Sequence, residues 1–436
     1  LSTDPSSESP AASATHAPGR EASVRRALPW IVAFALFMER LDATIVHTSL
    51  PAMAASLDAD PLMLKAVSTA YILALAATIP ASGWLADRFG TRRVFMTALV
   101  VFTLASAGCA AAMTAGQLIA ARIPQGMAAA LMMPVGRVAI LRTFPRGELL
   151  RAMNFVIMPA LIGPMLGPAL GGVIVDTLGW RWIFLVNLPV GLIGWLVAAR
   201  LMPDYRGASP RRLDTLGLLL FGAGVALLTW ALERLSHAGS GAVGDVLTLA
   251  GSGLLLGLYL LHARRTPQPL LSFELLRLRT FRASVVGGFV TRLGITGMPL
   301  LLPLLYQMGL GLPAWQSGLL MMPSAFAAIG MKALSVPLLR RFGFRRVLVL
   351  NTVMAGAVIA SFASVGRDTP MLLIVCQSLA MGFFNSLQFS AMNTLAYADV
   401  PDAQTSAATA LSGTMQQLSM SFGLALGAIV ATVWLG

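Results

Sequence analysis

Seven ionisable residues of this chain sit inside long apolar stretches: Glu39, Arg40, Asp42, Arg122, Arg137, Arg292 and Lys332. At the centre of a bilayer each costs about 2.5–3.5 kcal/mol on the insertion scale, so each is a candidate for a working role. Glu39 and Asp42 are three residues apart and share a helical face. Two carboxylates held close in low dielectric resist double ionisation, which raises an apparent pKa toward the range of a proton carrier. Glu39 has a second reading, as the neutralising partner of Arg40. An arginine such as Arg122 holds a nearby acid ionised until a proton or substrate competes, or it binds backbone carbonyls in a structural role. Arg137 and Lys332 lie toward the cytoplasmic halves of their helices and can snorkel. His47 is a lone histidine suited to core packing or proton transfer. Five bases against two acids suggest a positive pocket.

The elements that carry these residues follow from composition. Of 436 residues, 57% are hydrophobic and 11% charged, with a mean hydropathy of +0.77. A soluble domain needs about a quarter charged residues, so a soluble enzyme is excluded. The apolar runs are continuous, which excludes a transmembrane β-barrel. Thirteen runs are long enough to be spanning helices. The fold class is therefore an all-α polytopic membrane protein. Residues 1–27, rich in Ser, Ala and Pro, read as a disordered tail. Leu1 in place of Met suggests that the true start is missing.

Of the 31 Lys and Arg residues, 22 fall in the N-terminal tail or beside loops after even-numbered helices. Only Lys65, Arg181, Arg234 and Arg367 fall on the other side. The positive-inside rule then puts the N-terminus in the cytoplasm, in a cell (inner) membrane. The net charge of +13 is thereby a matter of topology, and no nucleic-acid partner is expected. Two isolated cysteines, Cys109 and Cys376, support neither a disulfide framework nor a metal site. No nucleotide-binding loop is present, so ATP-driven transport is not expected.

The chain also repeats itself. DRFGTRRVF at 87–95 matches RRFGFRRVL at 340–348, and FMERLDAT at 37–44 matches FVTRLGIT at 289–296. The near-equal offsets imply two homologous halves, the plan of many secondary transporters with a site between them. The expected organisation is a tail (1–27), a six-helix bundle (28–203), two inserted helices (204–268) and a second bundle (269–436). The last shows five helices where six are expected.

Five strings now resemble one family in order: LDATIVHTSLP (41–51), GWLADRFGTRRV (83–94), RIPQG (122–126), GPMLGPALGG (163–172) and WRWIFLVNLPVG (180–191). Together they resemble the fourteen-helix drug/proton antiporter branch (EmrB/QacA-like) of the major facilitator superfamily. The resemblance implies two pseudo-symmetric six-helix bundles with two inserted helices. It implies that Asp42 is the first-helix acid and Arg122 the proton-coupling arginine. It implies a conformational latch at Gly83, Asp87, Arg88, Gly90, Arg92 and Arg93. At cytoplasmic helix ends Asp87 can accept charge-assisted hydrogen bonds that break when the halves rock. Arg340 replaces it in the second copy, so such a latch is one-sided. It also implies an antiporter motif at Gly163, Pro164, Gly167, Pro168, Gly171 and Gly172, sealing the interface between halves. Glycines at every fourth position let a neighbouring helix approach closely.

The expectation is proton-driven efflux of drugs or other lipophilic compounds by alternating access, with no cofactor beyond the proton gradient. A small organic anion such as a carboxylate is the alternative substrate, because of the basic excess. A non-transporting sensor or partner subunit is the alternative of another class. An efflux partner in the envelope is a further expectation.

Overall fold

A computed structural model describes residues 18–59, 61–207, 212–235, 242–312 and 314–435. The described residues are almost wholly helical. The first half comprises α1 (Pro18–Leu57), α2 (Pro61–Thr78), α3 (Ser82–Phe89), α4 (Thr91–Ala111) and α5 (Ala115–Thr143). It continues with α6 (Arg146–Leu178), α7 (Trp182–Leu185) and α8 (Asn187–Leu201). Next come α9 (Thr215–Leu235) and α10 (Ala242–Arg265). The second half comprises α11 (Arg279–Thr296), α12 (Met298–Leu304), α13 (Ala314–Phe342), α14 (Phe344–Ser361), α15 (Met371–Leu395) and α16 (Thr405–Leu435). Three of the thirteen expected spans are broken: α2 with α3, α7 with α8, and α11 with α12.

Ten helical segments among the described residues are long and apolar enough to cross a membrane. The segment carrying Glu39, Arg40 and Asp42 is not among them. Its first helix also starts earlier than composition suggests. Residues 18–27, expected as disordered tail, are helical, with Pro18 in the first turn and Glu, Ala and Arg behind it. Residues 1–17 lie outside the described residues.

In the first half α6 packs along α1, and α5 packs against α2 and α4. In the second, α15 packs on α13 and α14, and α16 on α11. The pair α9 and α10 hold each other, and α9 also touches both α2 and α16. The repeated strings form the same turn twice. Gly90 closes α3 and opens α4 at φ 90° and ψ 147°. Gly343 does the same between α13 and α14 at φ 76° and ψ 155°. Both lie in a region open essentially to glycine alone.

Contacts between the halves lie near the arginine-rich loops. The start of α16 packs against α3 and α5, and the early part of α6 packs against α13 and α15. There Asn154 donates to Ser335 Oγ at 2.6 Å and to the Lys332 carbonyl at 3.3 Å.

Candidate functional site between the two halves

Local sequence sets the position of Arg122. Thr114 caps α5 by accepting from the Gln117 amide at 3.3 Å, while Gln117 accepts from the Met113 amide at 2.8 Å. Two turns later Arg122 points into the first bundle. Gly126 lets the Tyr71 backbone carbonyl of α2 come close, since a Cβ there would collide with it. That approach places the Tyr71 ring 4.3 Å from the guanidinium.

Arg122 and Asp42 form a salt bridge at 2.6 Å, each 1% exposed. Arg122 also donates to Gln125 Oε1 at 2.7 Å and to the Val67 carbonyl at 3.3 Å. Both sequence readings of this arginine, as partner of an acid and as ligand of backbone carbonyls, therefore hold. Asp42 Oδ1 accepts from Gln125 at 3.0 Å and from Asn187 at 2.8 Å, and both amides also donate to Ser106 Oγ. The carboxylate is thus held by three donors inside one bundle, where charge-assisted bonds are strongest.

Glu39 lies elsewhere. It is 5% exposed, its Oε1 stands 3.9 Å from Arg40 Nε, and its Oε2 has no partner among the described residues. The two carboxylates share a helix but join no common bond network. Asp42 is fully paired, whereas one oxygen of Glu39 has no partner among the described residues.

Between the halves lies a cavity of about 280 Å³, lined by α1, α5, α6, α11, α15 and α16. Arg40 and its repeat partner Arg292 both line it, with Asn385, Gln388, Phe389 and Gln416 among the other groups. Among the described residues no carboxylate lines it. Arg292 sits 5.7 Å from the Phe389 ring centroid, and Lys332 sits 5.6 Å from the same ring. A smaller adjoining cavity is lined by Glu39, Arg137 and Thr409, and shares Arg40, Met133, Gln416 and Met420 with the larger one.

Arg137 and Lys332 do not snorkel. Arg137 is 4% exposed and donates to Tyr397 at 3.1 Å, and Lys332 is 5% exposed and donates to Ser390 at 2.7 Å. Each cation donates to an interior hydroxyl rather than reaching for water. The side chain of His47 lies outside the described residues.

The loop expected to form a latch is assembled from different partners. Asp87 accepts from Ser406 of α16 at 2.7 Å and from Arg142 of α5 at 3.3 Å. It is not paired to Arg88, Arg92 or Arg93. Arg92 binds the Ala199 carbonyl, and its amide donates to Asp204 at 3.3 Å. Arg88 and Arg93 are exposed. The reason is geometric: helix ends direct Arg88 and Arg93 outward, while Arg142 closes the far end of α5 beside Asp87. Gly83 abuts the Ser406 carbonyl and Ala410, so a side chain there would separate α3 from α16.

Residues 32–424 match the model of the Major Facilitator Superfamily. This chain belongs to that superfamily. Relatives bearing the name multidrug resistance protein MdtD include one from Cronobacter sakazakii, 43% identical over 92% of this chain and 85% of its own length. One from Salmonella typhi is 42% identical over the same shares. Among solved structures, the human organic anion transporter MFSD10 superposes with a TM-score of 0.68 at 15% identity, covering 93% of each chain. The proton:xylose symporter XylE gives 0.63 at 13% identity, covering 95% of this chain and 96% of its own. These likenesses agree with the two-bundle membrane fold, and the superfamily marks the chain as a transporter rather than an enzyme.

One implication of the resemblance is corrected by the packing. The glycine stripe of α6 was expected at the interface between halves. Gly163 instead faces Arg40 and Leu41, and Gly167 faces Thr44, all on α1 of the same bundle. Gly171 is buried and Gly172 has open space around it. The side chains of Pro164 and Pro168 lie outside the described residues. Contact from α6 to the second half comes from Leu150 and Asn154, nearer its start.

The sequence reading missed Tyr71, Ser106, Gln125, Asn187, Arg142 and Ser406. Gln125 and Asn187 stand within RIPQG and WRWIFLVNLPVG, where a polar amide in an apolar run was the available signal.

Proposed function

We propose that this chain is a proton-driven exporter of drugs or other small lipophilic compounds, working by alternating access. The observation that carries the reading is the cavity between the halves. It is bordered by the acid-bearing helix α1, and at the arginine-rich end Asp87 bonds to Arg142 and, across the halves, to Ser406. Breaking those few polar contacts would open that end as the opposite end closes. The name of the relatives supports drugs as substrates. The Lys and Arg distribution supports a cytoplasmic N-terminus in the inner membrane. The energy source is the proton gradient, with no resident cofactor.

A second reading has its own support. Arg40 and Arg292 face the cavity without a lining carboxylate, which suits a small organic anion such as a carboxylate. Proteoliposomes holding the purified chain decide between the two. Under an imposed pH gradient, movement of ethidium but not of a tricarboxylate supports the drug reading, and the reverse pattern supports the anion. Arg292→Ala should abolish anion movement and spare the dye. Transport of neither under any gradient would remove the proposal. Transport by the purified chain would also make an envelope partner unnecessary.

A further inference from the structure

One helical turn separates two carboxylates in opposite circumstances. Asp42 accepts from Arg122, Gln125 and Asn187, so a proton placed on it would displace a donor and leave a buried guanidinium without its counter-charge. Glu39 is also buried, yet its Oε2 has no donor among the described residues, and Arg40 is too far from Oε1 for a hydrogen bond. A buried carboxylate oxygen without a donor is costly while the group is charged, and a proton lowers that cost. The small cavity beside Glu39 shares Arg40, Met133, Gln416 and Met420 with the central cavity, which sets the acid next to the space between the halves.

We propose that Glu39 is the carboxyl that takes up and releases the transported proton, while Asp42 stays ionised as the fixed partner of Arg122. This rests on the proton-driven reading above. The step forms an O–H bond on Glu39 as one O–H bond of a hydronium ion breaks and leaves water, and it reverses when the other side opens. Groups facing Glu39 are Arg40 and Asp42 on α1, Tyr71 on α2 and Arg137 on α5. From α16 only uncharged groups face it: Thr409, Gly413, Gln416, Gln417 and Met420. Protonation removes the charge of Glu39 beside Arg40 while Asp42 keeps its own, so the surroundings of Arg40 become more positive by one charge. A cation is expelled by that step, which is exchange against protons. An anion would be drawn in by it and would travel with the proton.

Infrared difference spectra between acid and alkaline pH, taken on the whole protein in lipid, test the assignment. The protonated-carboxyl band should vanish in Glu39→Gln and shift in Glu39→Asp. It should persist in the charge-balanced double variant Asp42→Asn/Arg122→Gln. A band that survives Glu39→Gln, or vanishes only in the double variant, overturns it. Gradient-driven ethidium movement should be lost in Glu39→Gln, and undiminished movement would also overturn it. If the wild type keeps the band but a pH gradient drives neither ethidium nor tricarboxylate, the export reading fails and the proton site stands.

Discussion

At the scale of single residues, the Asp42–Arg122 pair has a measurable signature. Removing one charge leaves the other buried and unpaired, which costs about 3–5 kcal/mol. Asp42→Asn should therefore lower Tm in detergent, and adding Arg122→Gln should restore much of the loss without restoring transport. Unchanged Tm in Asp42→Asn would contradict the burial of the pair. Asn187→Ala keeps both charges but removes a donor from Asp42 and Ser106, with a cost of about 1–3 kcal/mol. The charged members of this cluster were legible in the sequence because an ionisable group in an apolar run stands out. Ser106, Gln125 and Asn187 were less so, since neutral polar residues are common in spanning helices. Arg142 was not legible, because its distance to Asp87 depends on how two helices end side by side.

At the scale of elements, the repeated glycine turns make a matched pair. Alanine at either Gly90 or Gly343 forces a side chain into a conformation that costs about 1–3 kcal/mol. Gly90→Ala should cost more, because its Cβ would meet the Asp204 carboxylate, whereas nothing stands within 4 Å at Gly343. Thermal unfolding of the two variants measures the difference, and Asp204→Ala should narrow it. Equal losses in both would mean that Asp204 yields freely. The all-helical membrane class was readable because length and hydropathy suffice for it, and the paired glycine turns because two strings repeat. Which face of α6 the glycines serve was not, because a stripe of small residues fits any close neighbour.

At the scale of the whole molecule, the two ends should differ in access. In a Cys376→Ser background, where Cys109 is buried, a membrane-impermeant thiol reagent added outside should label a cysteine at Asp368. It should not label one at Arg341 or Arg345, and labelling there would invert the topology. A cysteine at Thr296, which lines the cavity, should react with a small reagent from the Asp368 side. Asp87→Asn weakens the bonds closing the arginine-rich end, so it should shift the population and slow that reaction. An unchanged rate would mean that Asp87 does not hold the halves together.

The helix α9 lies against both α2 and α16, with Phe221, Val225 and Leu228 packed in one cluster with Ala76, Ala408 and Leu411. Gly222 brings it within 3.2 Å, by the space a Cβ would take, of the Ala77 carbonyl. That seam is thereby covered by a helix, while among the described residues no helix packs in the same way over the seam of α6 with α13 and α15. On the export reading, a greasy compound arriving sideways from the lipid would meet one shuttered doorway and one uncovered one.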